Sequence, residues 1–165
     1  MALSVEPMPA GDWPAVRAIY EEGIAAGNAT FETEVPAWEE WDRNHLPLCR
    51  LVVRRDQEVV GWAALSRVSS RQVYAGVAEV SIYVATAARG QGIGKRLLAA
   101  LVEESERYGF WTLQASMFPE NVASIRLHRA CGFREVGRRD RIGQSRDGSW
   151  RDTLLLERRS RTVGV

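Results

Sequence analysis

The spacing of apolar positions along the chain changes several times, and each change marks an element. LSVEPM opens as a short strand. Asp12 then offers an N-cap and Pro14 a first-turn proline, while Val16, Ile19 and Tyr20 recur on one helical face and Gly23 and Gly27 read as the helix end. Pro36 opens a second helix, in which Trp38 and Trp41 form an aromatic stripe suited to a core contact. From Arg50 the period becomes that of a strand: CRLVVRR and EVVGWAALSRV flank RDQ as a hairpin. After SSRQVYAG comes AEVSIYV, rich in β-branched residues. The segment RGQGIGKR leads into a helix, LLAALVEESERYG, which stops at Gly109. WTLQASM is a further strand. Asn121 caps NVASIRLHRAC, which ends at Gly132 with Phe133 placed for the accompanying apolar contact. FREVGRRDRI and RDTLLLE close the chain as strands. The order β-α-α-β-β-β-α-β-α-β-β predicts an α/β (α+β) fold, a mixed central sheet covered by helices. No repeat, low-complexity tract or linker interrupts it, so residues 1–165 read as one domain.

Composition narrows the function. A chain of 165 residues is long enough for one substantial core. Its 45% apolar and 26% charged content is that of an ordinary globular protein. A net charge of +1 creates no field that would gather nucleic acid or an anionic membrane. The late arginines of REVGRRDRIGQSRDGSWRD and ERRSRTVGV are interleaved with acids and read as a solvated strand surface followed by a frayed tail. MALSVEPMPAGDW has neither the basic start nor the apolar core of a secretory signal. The least polar stretch, AGVAEVSIYVATAA, contains Glu79 and is shorter than the roughly 20 residues a membrane helix needs. A cytoplasmic protein is expected, with Cys49 and Cys131 as reduced thiols. His45 with Cys49 and His128 with Cys131 could in principle supply zinc ligands. Pro47 spoils the first pair, nothing brings the two pairs together, and no metal is expected.

RGQGIGKR poses a question of charge. A helix N-terminus carries partial positive charge and favours anions, yet Arg89, Lys95 and Arg96 crowd this one while Glu103, Glu104 and Glu106 lie in its second half. Glycine-rich turns entering helices bind phosphates through free backbone N–H groups. The segment is not a P-loop, which needs Gly five places before Gly94 and Ser or Thr after Lys95, where Arg89 and Arg96 stand. Nor is it a dinucleotide fingerprint: Gly90 and Gly92 lead to Lys95 where the third glycine belongs, and no acidic residue follows at the required distance.

The pattern that fits is R-x-x-G-x-G, read as Arg89, Gly92 and Gly94 between a strand and a helix. It resembles the acetyl-CoA pyrophosphate loop of the GNAT acetyltransferases, whose element order the chain also follows. N-x-x-S-x-x-L-H-x-x-x-G-F, from Asn121 and Ser124 through Leu127 and His128 to Gly132 and Phe133, strengthens the resemblance. Upstream, R-x-x-Y-x-x-x-x-E-x-S-I-Y-V from Arg71 to Val84 is similar to the phosphinothricin and methionine sulfoximine acetyltransferases of that superfamily. So are AIYEEGI, ATFETEVP and the late G-x-W-x-D at Gly148, Trp150 and Asp152. QSRDGS before Trp150 departs from the shorter turn of that subfamily, at a loop that would lie near the acceptor pocket.

The resemblance implies acetyl transfer from acetyl-CoA, with no metal, to the amine of a small amino-acid-like acceptor. An amine attacks only when unprotonated, so a base must accept its proton. Glu79 is the candidate: on AEVSIYV it shares a face with Ser81 and Tyr83, opposite Val80, Ile82 and Val84. By alternation alone an exposed carboxylate reads as well. In the family, the strand end Ile82-Tyr83-Val84 pairs with the pantetheine arm, and a backbone N–H there polarises the thioester carbonyl. The resemblance implies that the loop residues Arg89, Gly90, Gln91, Gly92, Ile93, Gly94 and Lys95 hold the pyrophosphate and that Asn121 and Ser124 line the cofactor arm, with helix capping as a second task for Asn121. His128 stands where many relatives have a tyrosine that protonates the leaving thiolate; it reads equally as a histidine holding helix to sheet. Arg71 with Tyr74 suits a substrate carboxylate or a solvated loop. Phe31 corresponds to an aromatic of the acceptor pocket, and Trp150 and Asp152 belong either to that pocket or to a dimer contact. A homodimer is expected from the relatives. A protein N-terminus or a polyamine is an alternative acceptor, and a non-catalytic acyl-CoA-binding module is the alternative of another class.

Overall fold

A computed structural model describes residues 2–165. The strands are β1 (Leu3–Pro7), β2 (Leu51–Arg55), β3 (Glu58–Arg67), β4 (Val77–Val84), β5 (Thr112–Met117), β6 (Arg134–Gln144) and β7 (Trp150–Arg159). The helices are α1 (Trp13–Ala26), α2 (Trp38–Asn44), α3 (Ile93–Arg107) and α4 (Val122–Ala130). The strands form a seven-stranded sheet in the order β1-β2-β3-β4-β5-β7-β6. Every neighbouring pair is antiparallel except β4 and β5. Element order and mixed sheet are those read from the sequence.

Both faces of the central strands are buried, which is why EVVGWAALSR carries no polar alternation. Trp62 and Ala64 of β3 pack with Val16, Ile19, Tyr20 and Trp41 of α1 and α2. Ala63 and Leu65 point the other way, into a core with Leu97, Leu98 and Leu101 of α3. Each of these three leucines is fully buried, worth roughly 1.5–3 kcal/mol apiece. The β2–β3 turn has positive φ at both Asp56 and Gln57 (50° and 75°), a twist that suits a tight hairpin.

Three local expectations change. Asp12 precedes α1, but its side chain makes no cap bond; the carboxylate instead accepts from Arg54 Nη2 at 2.5 Å. Gly23 does not end α1 but lies inside it, and Gly27 (φ 80°) terminates the helix. The tail after β7 is tied rather than frayed. Ser160 is buried and donates to Glu106 Oε2 at 2.6 Å, while the Arg159 guanidinium donates to the carbonyls of Val163 and Gly164. Among the described residues no helix is long and apolar enough to cross a membrane.

The feature that makes the site is a fork. β4 and β5 pair only from Val77–Thr112 to Glu79–Gln114. Beyond that register they part, although β4 stays paired with β3 as far as Val84.

Candidate active site

The arm of the fork that follows β4 leads into the glycine loop. Gly90 and Gly92 have φ of 75° and 76°, the left-handed region that side chains disfavour. Gly94 has a different reason: a Cβ there would lie 3.2 Å from Leu127 Cδ2, so its bareness lets α3 approach α4. The first turn of α3 has no side-chain cap and no acidic residue, leaving its N–H groups and dipole available to an anion. Arg89, Lys95 and Arg126 line the adjacent cleft of 520 Å³. None of the three is in an ion pair among the described residues. The inverted helix charge is thus an uncompensated cationic mouth.

Ile82, Tyr83 and Val84 form one wall of this cleft, and Asn121 and Ser124 lie on the α4 side. Gly90, Gly92, Ile93 and Gly94 line it too. Gln91 turns outward, its Oε1 accepting from Arg55 Nη1 at 2.7 Å. Asn121 caps α4 by accepting from Ser124 N at 3.2 Å, and its Nδ2 donates to the Asn28 carbonyl at 3.2 Å.

A second, smaller space of 200 Å³ opens inside the fork, lined by Glu79, Ser81, Tyr83, Ser116 and His128. Glu79 is half-buried, and its Oε1 accepts from Gln114 Nε2 at 3.3 Å. His128 is 2% exposed. Its Nδ1 donates to the Ser124 carbonyl at 2.8 Å, which fixes the tautomer. Nε2 is buried without a partner among the described residues. Burial pulls the His128 pKa down, partly offset by the Ser124 carbonyl. Burial also pushes the Tyr83 phenol up to about 12, so it stays protonated.

The segment between α1 and α2 crosses the front of the fork, bringing Ala29 and Thr30 to the smaller space. Phe31 meets Phe118 edge-on at 4.8 Å and sits so close to β6 that a Cβ at Gly143 would lie 2.4 Å from its ring. On its outer side a polar groove of 740 Å³ is lined by Phe31, Trp150 and the 145–149 turn. That turn holds most of QSRDGS, and it does stand beside Phe31. Arg71 and Tyr74 are not brought into either cleft: they lie on the exposed loop before β4, the guanidinium 5.5 Å from the phenol ring centre. Asp152 pairs with Arg138 and accepts from Arg141 N at 2.7 Å, shaping the β6–β7 hairpin. Sequence reading missed Gln114, Asn28 and Arg151, whose contacts are made across the fold and leave no local pattern.

Among the described residues no cluster of His, Cys, Asp and Glu could hold a metal. His45 stacks on Trp41, and burial pushes the Cys49 thiol up to about 12. Both cysteines are free thiols.

The cationic loop, the unpaired strand end and the enclosed carboxylate suit an acyl-CoA donor, and comparison with known proteins agrees. Residues 13–133 match the model of the acetyltransferase (GNAT) family. The chain is 35% identical to the phosphinothricin N-acetyltransferase of Alcaligenes faecalis, over 95% of this chain and 82% of that protein. It is 32% identical to an L-methionine sulfoximine/L-methionine sulfone acetyltransferase of Pseudomonas paraeruginosa, over 95% and 94% of the two. The crystal structure of a GNAT phosphinothricin acetyltransferase from Sinorhizobium meliloti in complex with acetyl-CoA superposes with a TM-score of 0.85 at 32% identity, covering 96% of this chain and 89% of that one. With its loop, its forked sheet and these relatives, the chain belongs to the GNAT family and is an acetyl-CoA-dependent N-acetyltransferase.

Proposed function

We propose that the enzyme acetylates the α-amine of a small amino-acid-like acceptor of the phosphinothricin or methionine sulfoximine type, by direct attack on acetyl-CoA with Glu79 as general base. The observation that carries this reading is a shared space: Glu79, the unpaired end of β4 and His128 all line the fork. The names of the relatives indicate the acceptor class. In this scheme the pantetheine arm lies along Ile82–Val84, and a backbone N–H there polarises the thioester carbonyl. The N–C bond forms, the C–S bond breaks, and the amine's proton passes, through Glu79, to the departing thiolate.

His128 fits the last transfer in a particular way. Its Nδ1 hydrogen is committed to Ser124 and burial disfavours the imidazolium, so Nε2 begins as a lone-pair acceptor. It acts as an acid toward coenzyme A only after taking up the proton released by the amine. Phe31 walls the acceptor side. We take the protein to be a cytoplasmic homodimer: acetyl-CoA is consumed inside the cell, and Val136, Ile142 and Trp150 leave apolar surface on β6 and β7 for a second copy to cover.

An acceptor panel with thiol-release detection tests the reading, using L-phosphinothricin, L-methionine sulfoximine, ordinary amino acids, polyamines and N-terminal peptides. Turnover is expected with the first two, and Glu79→Gln should lower it by about 10²–10⁴-fold with unchanged acetyl-CoA affinity. Binding of acetyl-CoA without thiol release for any amine would make the protein a non-catalytic module, and preferred turnover of peptides or polyamines would replace the acceptor class.

A further inference from the structure

We propose that Gln114 is a positioning residue for the reaction, its side-chain amide holding the Glu79 carboxylate by one oxygen so that the other serves the acceptor amine. This rests on Glu79 as the base. Gln114 and Glu79 are partners in the last register pair before β4 and β5 part, so the donor is fixed by both strands at the apex of the fork. Gln114 Nε2 donates to Glu79 Oε1 at 3.3 Å, and Oε2 has no partner among the described residues. On its other side Gln114 is paired in register with Glu157, which accepts from Arg134 Nη2 at 2.5 Å. A neutral amide therefore separates two carboxylates in one row across the sheet. An acid at this position would put like charges side by side and drive protons onto the row. An apolar residue would leave Glu79 without its donor, and losing a hydrogen bond to the charged form also raises a carboxylate's pKa.

The other titratable groups on the surrounding elements are His128 of α4 and Tyr83 of β4 in the fork, Glu32 of the segment between α1 and α2, whose charge acts on the Tyr83 phenol, Glu157, Arg159 and Arg151 of β7, Arg134 of β6, and Arg71 of the preceding loop. His128 and Tyr83 are uncharged near neutrality, Arg134 neutralises Glu157, and Arg159 is engaged with tail carbonyls. The group next to Glu79 that a substitution can change without altering this set is Gln114.

The test is the pH dependence of kcat/KM for L-methionine sulfoximine at saturating acetyl-CoA, in the wild type, Gln114→Met, Gln114→Glu and Glu79→Gln. Thermal melting and acetyl-CoA affinity serve as checks on the fold. The acid limb should move upward by about half a unit to one unit in Gln114→Met and by about one unit or more in Gln114→Glu, with rates recovering at high pH. Gln114→Met removes the donor while keeping the shape, and it decides the matter if Gln114→Glu is unstable. Unmoved limbs in folded Gln114 variants, beside a crippled Glu79→Gln, overturn the positioning role and leave the base in place. Wild-type turnover by Glu79→Gln overturns the base assignment and the positioning role together.

Discussion

The Arg151 guanidinium lies 3.5 Å from the centre of the Phe118 ring, and from there it donates to the Gly27 carbonyl at 2.7 Å and Asn28 Oδ1 at 3.1 Å. One side chain of β7 thus fastens the end of β5 to the segment that follows α1. Asn121 holds the same segment from the α4 side, through the Asn28 carbonyl.

Removing this clamp should loosen the acceptor wall before it harms the fold. Arg151→Met keeps much of the bulk over Phe118 but loses bonds worth about 1.5–3 kcal/mol when charged and well buried, less at this partly exposed position. The expected outcome is a several-fold rise in the acceptor KM with a small loss of melting temperature. Arg151→Lys should recover part of it, because one donor still reaches a carbonyl. Steady-state kinetics on the three proteins checks this.

Substitutions at the loop glycines should separate by cause. Gly92→Val forces a side chain into a left-handed backbone at a cost of about 1–3 kcal/mol, enough to weaken acetyl-CoA binding by roughly tenfold or more. Gly94→Ala presses on the flexible end of Leu127 and makes only ordinary contact with Val84 Cγ2 at 3.7 Å, so it should be tolerated far better, whereas Gly94→Leu should push α4 away. Titration calorimetry with coenzyme A distinguishes the three.

Acid should destabilise the protein partly through His128. Burial lowers its pKa in the folded chain, so the unfolded chain, titrating near the ordinary value of about 6.5, takes up a proton first. Stability is therefore full above about pH 6.5, declines as pH falls below it, and stops declining only beneath the folded pKa. His45, also lowered mainly by burial, acts in the same direction. Urea unfolding at about pH 7.5 and about pH 5 should show a smaller acid loss in His128→Asn than in the wild type, whatever the variant's absolute stability. An equal loss would refute the assignment.

In α1, Gly23→Ala should destabilise, against the usual rule. A helix interior ordinarily gains about 1 kcal/mol from this change. Here the new Cβ would sit 2.6 Å from Tyr83 Cδ1, and that ring is already held between Tyr20, tilted against it, and Trp62, stacked on it. Overpacking of this kind costs about 1–3 kcal/mol. A lower melting temperature and slower turnover are expected together, because Tyr83 lines the fork.

Local geometry confined to a short window is readable from the sequence. The glycine loop, the alternation that places Glu79 opposite Val80, and the Asn121 cap each depend on neighbours a few positions away. Asp12 was misread because a cap bond competes with a distant cation, and Arg54 wins with a charged pair. Gly23 was misread because glycine marks a helix end and a close approach by the same letter, and only Tyr83 decides between them. Gln114 looks like any polar residue on a strand until β4 is laid beside it. Arg151 sat unnoticed in an arginine-rich stretch whose other members, such as Arg138 and Arg134, form surface ion pairs.

The brief pairing of β4 and β5 also bears on how such an enzyme can change over evolutionary time. In the proposed reaction the groups that the fork offers to the donor are mainly peptide N–H and C=O, which substitutions other than proline leave in place. The walls proposed to face the acceptor are side chains: Phe31, Ser116 and the residues of the 145–149 turn. Drift in sequence can therefore rewrite what is acetylated while leaving the acetyl source untouched.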